Sequence, residues 1–297
     1  MKTAAALIVV LASAPLTTPL ADVVSPFRGV ADVVSTLRDV TGVVSPSRGV
    51  PPQDNRIAMR AVGKKWQDAV VSVRVSLKVR MSMGGREVQS MDDTLEAVAT
   101  VIDPNGLTVM SLSSLDPGAM MSRLMNASGG EEKMSIVSEP SDVRIRLANG
   151  RELPAKIVLR DQDLDLAFIR PTTTPPAPLT AINLADAARP AILDDVVVLS
   201  RLGRVGGWAP AAVLYSVGAI IERPRTFFVL NGQAGTGTPA FLPNGKLVGL
   251  LTIRQVDPGR MSMFGMMGGT EGAGVIVVIL PAADVLEIAK QATEENR

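Results

Sequence analysis

The sequence predicts an all-β protein, a barrel or sandwich of many short strands closed by one helix at its C-terminus. Three observations carry this. Apolar and polar residues alternate with a period of two through several stretches, as in "AVVSVRVSLKVRM", the signature of a half-buried strand. Turn pairs and quartets rich in Asn, Asp, Pro and Gly punctuate these stretches at short intervals,. The C-terminal "PAADVLEIAKQATEEN" alone reads as a convincing helix, with Pro281 at its start and Val285, Ile288 and Ala289 on one face,.

The elements follow in order. Val71, Val73, Val75 and Leu77 form the apolar side of the first strand. "EAVATVIDPNGLTVMSL" reads as strand, turn and strand, with Asp103-Pro104-Asn105-Gly106 as the turn,. "DVRIRLANGRELPAKIVLRD" is a hairpin turning at Asn149-Gly150,. "DLAFIRP", "DDVVVLSRLG", "VLYSVGAIIERP", "RTFFVLNG", "GTPAFLPNGKLVGLLTIR" and "GAGVIVVILP" continue the series,. Two segments interrupt it. Residues 116–141 read as a long insertion and residues 257–272 as a Gly- and Met-rich loop,.

Composition narrows the chemistry. Of the 297 residues, 46% are apolar and only 3% aromatic, so the core is built from Val, Leu, Ile, Ala and Met. The net charge of +1 provides no field for nucleic acid or an anionic membrane,. No Cys is present, which excludes disulfides, thiolate nucleophiles and Cys-ligated metals,. No His is present either. That removes the commonest general base and the commonest metal ligand.

The chain opens with "MKTAAALIVVLASAPLTTPLADVV": one Lys, a short apolar run, then small residues and prolines. This is the layout of a secretory signal over residues 1–21, with cleavage after Ala21, and it implies an exported protein, periplasmic or extracellular. No other stretch is long and apolar enough for a membrane helix. Residues 22–56 read as a linker built on a decapeptide repeat, "ADVVSPFRGV", "ADVVSTLRDV" and "TGVVSPSRGV". The remaining residues, 57–297, form the folded domain.

Within that domain, three stretches resemble the trypsin-like serine protease domain in its HtrA-like (DegP-like) branch. "VATVIDPNGLTVMSLSSL" is similar to the strand, turn and strand that lead to the family's catalytic His. "VRIRLANGRELPAKIVLRDQDLDLAFIRP" is similar to the segment carrying the catalytic Asp. "GQAGTGTPAFLPNGKLVGL" is similar to the nucleophile loop and its following hairpin. The resemblance implies two six-stranded β-barrels of chymotrypsin type, at about 66–172 and 190–280, with a C-terminal helix at about 282–293; proteins of this branch usually carry a PDZ domain next, and with the chain ending at 297 none is expected here. It implies a triad at Ser113, Asp165 and Thr236, in the places of His, Asp and Ser. It also implies an oxyanion-hole-like set of backbone amides at Ala234, Gly235 and Thr236, with Thr238 where the family has a glycine.

A hydroxyl at 113 cannot shuttle protons as imidazole does, and a bare threonine hydroxyl is a weak nucleophile without a base. No catalytic residue is therefore expected to function. The resulting expectation is a non-catalytic protein that binds polypeptide or a partner protein through the old cleft. The alternatives are an endopeptidase using a base other than His, such as Lys156 or Lys246, and a structural envelope protein. No cofactor and no metal are expected. Asp161, Asp163 and Asp165 alternate, but the EF-hand pattern fails at Leu166,. "RMSM", at 80–83 and again at 260–263, supplies soft thioethers suited to Cu(I) or, as methionine more often does, to packing and adaptable binding surfaces,.

Overall fold

A computed structural model describes residues 53–118, 122, 134–255 and 275–294. The signal reading for residues 1–21, the linker reading for residues 22–56 as far as residue 52, and the Met-rich loop at 257–272 lie outside the described residues, while residues 53–56 open a helix.

Twelve strands form two closed six-stranded barrels. The first comprises β1 (Val70–Met83), β2 (Arg86–Val101), β3 (Thr108–Ser111), β4 (Met134–Arg146), β5 (Glu152–Asp161) and β6 (Leu166–Pro171). Its order is β1-β2-β3-β6-β5-β4, closed by the antiparallel pairing of β1 with β4. The second comprises β7 (Asp195–Arg201), β8 (Pro210–Ile221), β9 (Phe227–Leu230), β10 (Pro239–Phe241), β11 (Leu247–Gln255) and β12 (Val275–Pro281). Its order is β10-β11-β12-β9-β8-β7, closed by β7 on β10. All the strand pairs within the barrels are antiparallel. The chymotrypsin-type double barrel implied by the sequence is the fold observed.

Alternation explains the strands. On β1, Val71, Val73, Val75 and Leu77 fill the first barrel together with Ala99, Val101, Met110, Ile145 and Ile169. The second barrel is filled by Val196, Val198, Val217, Phe228, Leu251 and Ile279. Residues of opposite parity, including Val70, Val109, Phe168, Val197, Leu199, Phe241 and Leu250, share a third cluster with residues from both barrels and both helices. The turns fall where the sequence put them. Gly106 has φ +94° and Gly150 has φ +82°, conformations that glycine adopts without a Cβ penalty,.

Among the described residues, two long helices bracket the barrels. The C-terminal one, α2 (Ala282–Glu294), buries Ala282, Val285, Ala289 and Ala292 along one side, while Ile288 is half-buried. The first, α1 (Gln53–Trp66), was not expected from the sequence. It buries Met59 and Val62 and stacks Trp66 on Phe241, ring centroids 6.2 Å apart. A further correction concerns residues 116–141. Their last part, from Met134, belongs to β4, which pairs with β1 over its full length.

Polar groups cross between the barrels. Arg201, at the end of β7, is buried and donates to the carbonyls of Val70 at 2.8 Å, Trp208 at 2.9 Å and Gln67 at 3.0 Å. Burial pulls its pKa down from the ordinary arginine value, opposed by the nearby charge of Asp68,.

Candidate functional site

The site is built where β3, the segment entering β6, β11 and the β9–β10 loop meet. β3 ends at Ser111 and the chain turns at once through a 3-10 turn, Leu112–Ser114. Asp165 immediately precedes β6, with its backbone in the left-handed region at φ +58°. Asp tolerates that region better than most residues, because its short polar side chain bonds locally.

The Asp165 carboxylate is only 6% exposed and accepts from three donors. The Ser111 hydroxyl donates to Oδ2 at 2.5 Å. The Ile253 N–H, from β11 of the second barrel, reaches the same oxygen at 2.8 Å. The Ser113 N–H donates to Oδ1 at 2.7 Å. In addition, the Leu112 N–H donates to the Asp165 carbonyl at 2.9 Å. This carboxylate is satisfied without an imidazole, as a buried charge must be.

Thr236 lies in the loop between β9 and β10. Its Oγ1 is 3.0 Å from the hydroxyl of Ser114, so a hydroxyl from each barrel meets at the cleft. The sequence-derived trio is thus brought together only in part. Ser113 meets Asp165 through its main chain, and the side chain that faces Thr236 is that of Ser114. Sequence reasoning missed Ser114, Ser111 and Ile253. Counting from Gly106 selects one of two adjacent serines, and spacing alone does not say which hydroxyl turns inward. Among the described residues, no Lys, Asp or Glu side chain hydrogen-bonds Thr236. Lys156 lies within β5, its register partner Arg170 on β6, and Lys246 lies at the β10–β11 turn, where its N–H bonds to Asn244.

The loop around Thr236 is pinned. Thr236 and Gly237 form the centre of a turn, and Gly237 supplies its left-handed torsion at φ +75°. A Cβ at Gly237 would stand 2.3 Å from the Val98 carbonyl oxygen of β2, so only glycine fits,. The Gly237 N–H donates to Leu251 O at 2.7 Å, and its carbonyl accepts from the Thr100 hydroxyl at 2.9 Å. Thr238 stands where the resemblance has a glycine. The left-handed residue is instead Gly237, and the fully buried Thr238 hydroxyl donates to Gly235 O at 2.6 Å. In a trans peptide the N–H points opposite to the C=O. The Thr236 N–H is therefore directed away from the Thr238 hydroxyl. Among the described residues, the amides of Ala234, Gly235 and Thr236 take no partner. The Tyr215 hydroxyl steadies the loop from behind, donating to Gln233 O at 2.5 Å.

Among the described residues, no three of His, Cys, Asp and Glu gather as a ligand set. Asp161 instead accepts from the Leu164 N–H at 2.9 Å. A recess of about 330 Å³ at the start of α2 is lined by Arg189, Thr226, Phe228, Asp284 and others, but by none of Ser114, Asp165 and Thr236. No helix among the described residues is long and apolar enough to cross a membrane.

Residues 126–250 match the model of the Trypsin-like peptidase domain. A probable periplasmic serine endoprotease, DegP-like, of Rickettsia conorii (strain ATCC VR-613 / Malish 7) is 22% identical over 223 residues. The match covers 71% of this chain but only 37% of the relative's length. The crystal structure of the MamO protease domain from Magnetospirillum magneticum, apo form, superposes with a TM-score of 0.46 at 17% identity, covering 75% of this chain and 96% of that one. The residues matched by the family model take in β4 to β6 of the first barrel and β7 to β11 of the second, and over this span the chain is similar to the Trypsin-like peptidase domain.

Proposed function

We propose that this trypsin-like domain is non-catalytic and binds an extended polypeptide, or a segment of a partner protein, through the cleft at Thr236. The observation that carries the reading is the absence of a proton carrier. The chain has no His, and the Thr236 hydroxyl meets another hydroxyl, that of Ser114. Neither group takes up a proton near neutral pH, so the step that activates a serine-type nucleophile has no base. Asp165, which would orient an imidazole, is occupied by Ser111, Ser113 and Ile253. Its role is to fasten the two barrels.

Binding has better support than turnover. The unpartnered amide of Thr236, fixed by the Thr238 clamp behind it, is a preorganised donor for a peptide carbonyl,. The protein acts outside the cytoplasm, a placement supported by the signal-like N-terminus,.

The experiment pairs a turnover assay with a binding assay. Purified protein is incubated with casein and with a fluorophosphonate probe, and its affinity for unfolded polypeptide is measured by fluorescence anisotropy. The expected result is binding without cleavage or labelling, with binding lost in Thr236→Arg. Casein cleavage that disappears in Thr236→Ala would overturn the reading.

A further inference from the structure

The recess of about 330 Å³ beside α2 opens onto the core of the second barrel. Its floor is Phe228 and Val248, only 2% and 1% exposed. One wall is Pro281, Ala282 and Ala283, where β12 passes into α2, and the other is Ala187 and Ala188. The alanines leave the space open, because their side chains end at Cβ. Main-chain bonds hold the second wall. The Leu247 N–H donates to Asp186 O at 3.1 Å, and the Ala188 N–H donates to Leu247 O at 2.8 Å. The recess is therefore formed before any guest arrives. Val248 precedes Ile253 on β11 by about 17 Å, at about 3.4 Å per residue, so the recess lies toward the end of the strand remote from Asp165,.

The mouth carries charge of both signs. Arg189 continues one wall and Asp284 the other, with side chains 62% and 26% exposed. Each has only a loose partner. Arg189 pairs with Glu222 at 3.7 Å, and Asp284 pairs with Arg225 at 3.4 Å. Both separations exceed the roughly 2.7–2.9 Å of a charge-assisted hydrogen bond, and exposed pairs of this kind contribute little. Guanidinium and carboxylate thus keep donors and acceptors for a guest.

Opposite signs on facing walls select the guest. A lone anion drawn to Arg189 meets the Asp284 carboxylate, and a lone cation drawn to Asp284 meets the guanidinium. An uncharged peptide segment uses neither. A free α-amino acid carries a carboxylate and an ammonium on one carbon, and its side chain projects from that carbon toward the floor. Its ionic groups stay at the wet mouth, so no unpaired charge is buried, while an apolar side chain leaves water for Phe228 and Val248. The volume is at the small end for ligand pockets and suits a guest the size of leucine,.

We propose that this recess binds a free apolar α-amino acid, with its carboxylate on Arg189, its ammonium on Asp284 and its side chain against Phe228 and Val248. The site is separate from the Thr236 cleft and involves binding only.

The test titrates the full chain by calorimetry with L-leucine, glycine and N-acetyl-L-leucinamide. Leucine should bind at one equivalent. Glycine lacks the apolar group and the acetyl amide lacks both charges, so each should bind at least about tenfold more weakly, equivalent to about 1.4 kcal/mol. Arg189→Gln and Asp284→Asn should each weaken leucine binding by a similar factor. Ala283→Phe, at an exposed position of α2, fills the recess and should abolish it. Absence of both heat and a shift in thermal midpoint at about 10 mM leucine, tenfold above a Kd of about 1 mM, overturns the site. So does glycine or the acetyl amide binding as tightly as leucine, a comparison that needs no variant. Leucine affinity unchanged in both charge variants overturns it as well.

Discussion

Replacing Asp165 with asparagine tests whether this residue is a fastener or a relic. Two carboxylate oxygens receive three donors: the Ser111 hydroxyl and Ile253 N–H on Oδ2, and the Ser113 N–H on Oδ1. An amide keeps one acceptor oxygen and presents an NH₂ in place of the other. The Ser111 hydroxyl can rotate and accept, but the two main-chain donors cannot. Whichever way the amide lies, the N–H of Ser113 or of Ile253 faces a donor. A hydrogen bond to a charged partner is worth about 1.5–3 kcal/mol, and a buried donor left without one loses a similar amount. The expected loss is about 2–3 kcal/mol, a large fraction of a total stability of about 5–15 kcal/mol. Asparagine also suits the left-handed backbone at φ +58°, so the variant isolates the side-chain bonds in a way alanine would not,. Urea unfolding, followed by far-UV circular dichroism and by the fluorescence of Trp66 and Trp208, measures the change in midpoint at constant slope. A loss below about 0.5 kcal/mol, the size of an ordinary surface substitution, would refute the fastening role.

Other substitutions bear on neighbouring features. Arg201→Met removes the donors held by three carbonyls and should cost about 2–4 kcal/mol in the same urea experiment,. Gly237→Ala drives a Cβ into the Val98 carbonyl and should cost at least about 2 kcal/mol, with peptide binding weakened as the loop shifts,. Trp66→Phe should be within about 1 kcal/mol of neutral, because the buried Trp66 Nε1 has no partner among the described residues and the ring contact with Phe241 is retained,. Ser114→His combined with Thr236→Ser should gain fluorophosphonate labelling that Ser113→His with Thr236→Ser does not, since only the hydroxyl of Ser114 adjoins residue 236.

The barrels were legible in the sequence because a strand buried on one face writes its period into the chain. Val71, Val73, Val75 and Leu77 show this on β1, and the turn glycines at 106 and 150 supply its punctuation. Helix α1 was hidden. It holds only Met59, Val62 and Trp66 against the domain, and Gly63 and a run of charged residues dilute the pattern. Strand β4 was hidden by Pro140, which reads as a break. The register between β1 and β4 slips there: Ser76 faces Asp142 and Leu77 faces Pro140, leaving Ser141 as the extra residue. Proline is tolerated at such a bulge. In the site, the motifs pointed to the segments that carry Ser113, Asp165 and Thr236. They could not show that Ser111 takes an Asp165 oxygen or that Ser114 turns toward Thr236, because those facts depend on a 3-10 turn that alternation does not encode.

The bonds that cross from one barrel to the other have a kinetic consequence. Asp165 to Ile253, Thr100 to Gly237, Arg201 to Val70, and Ser114 to Thr236 all span the divide. A groove laced at several points keeps a constant gauge. If the cleft binds polypeptide as proposed, it takes a guest by the outline it already has and does not swing shut around it. Guests that arrive extended should enter at diffusion-governed speeds, and differences between them should appear in how long they stay.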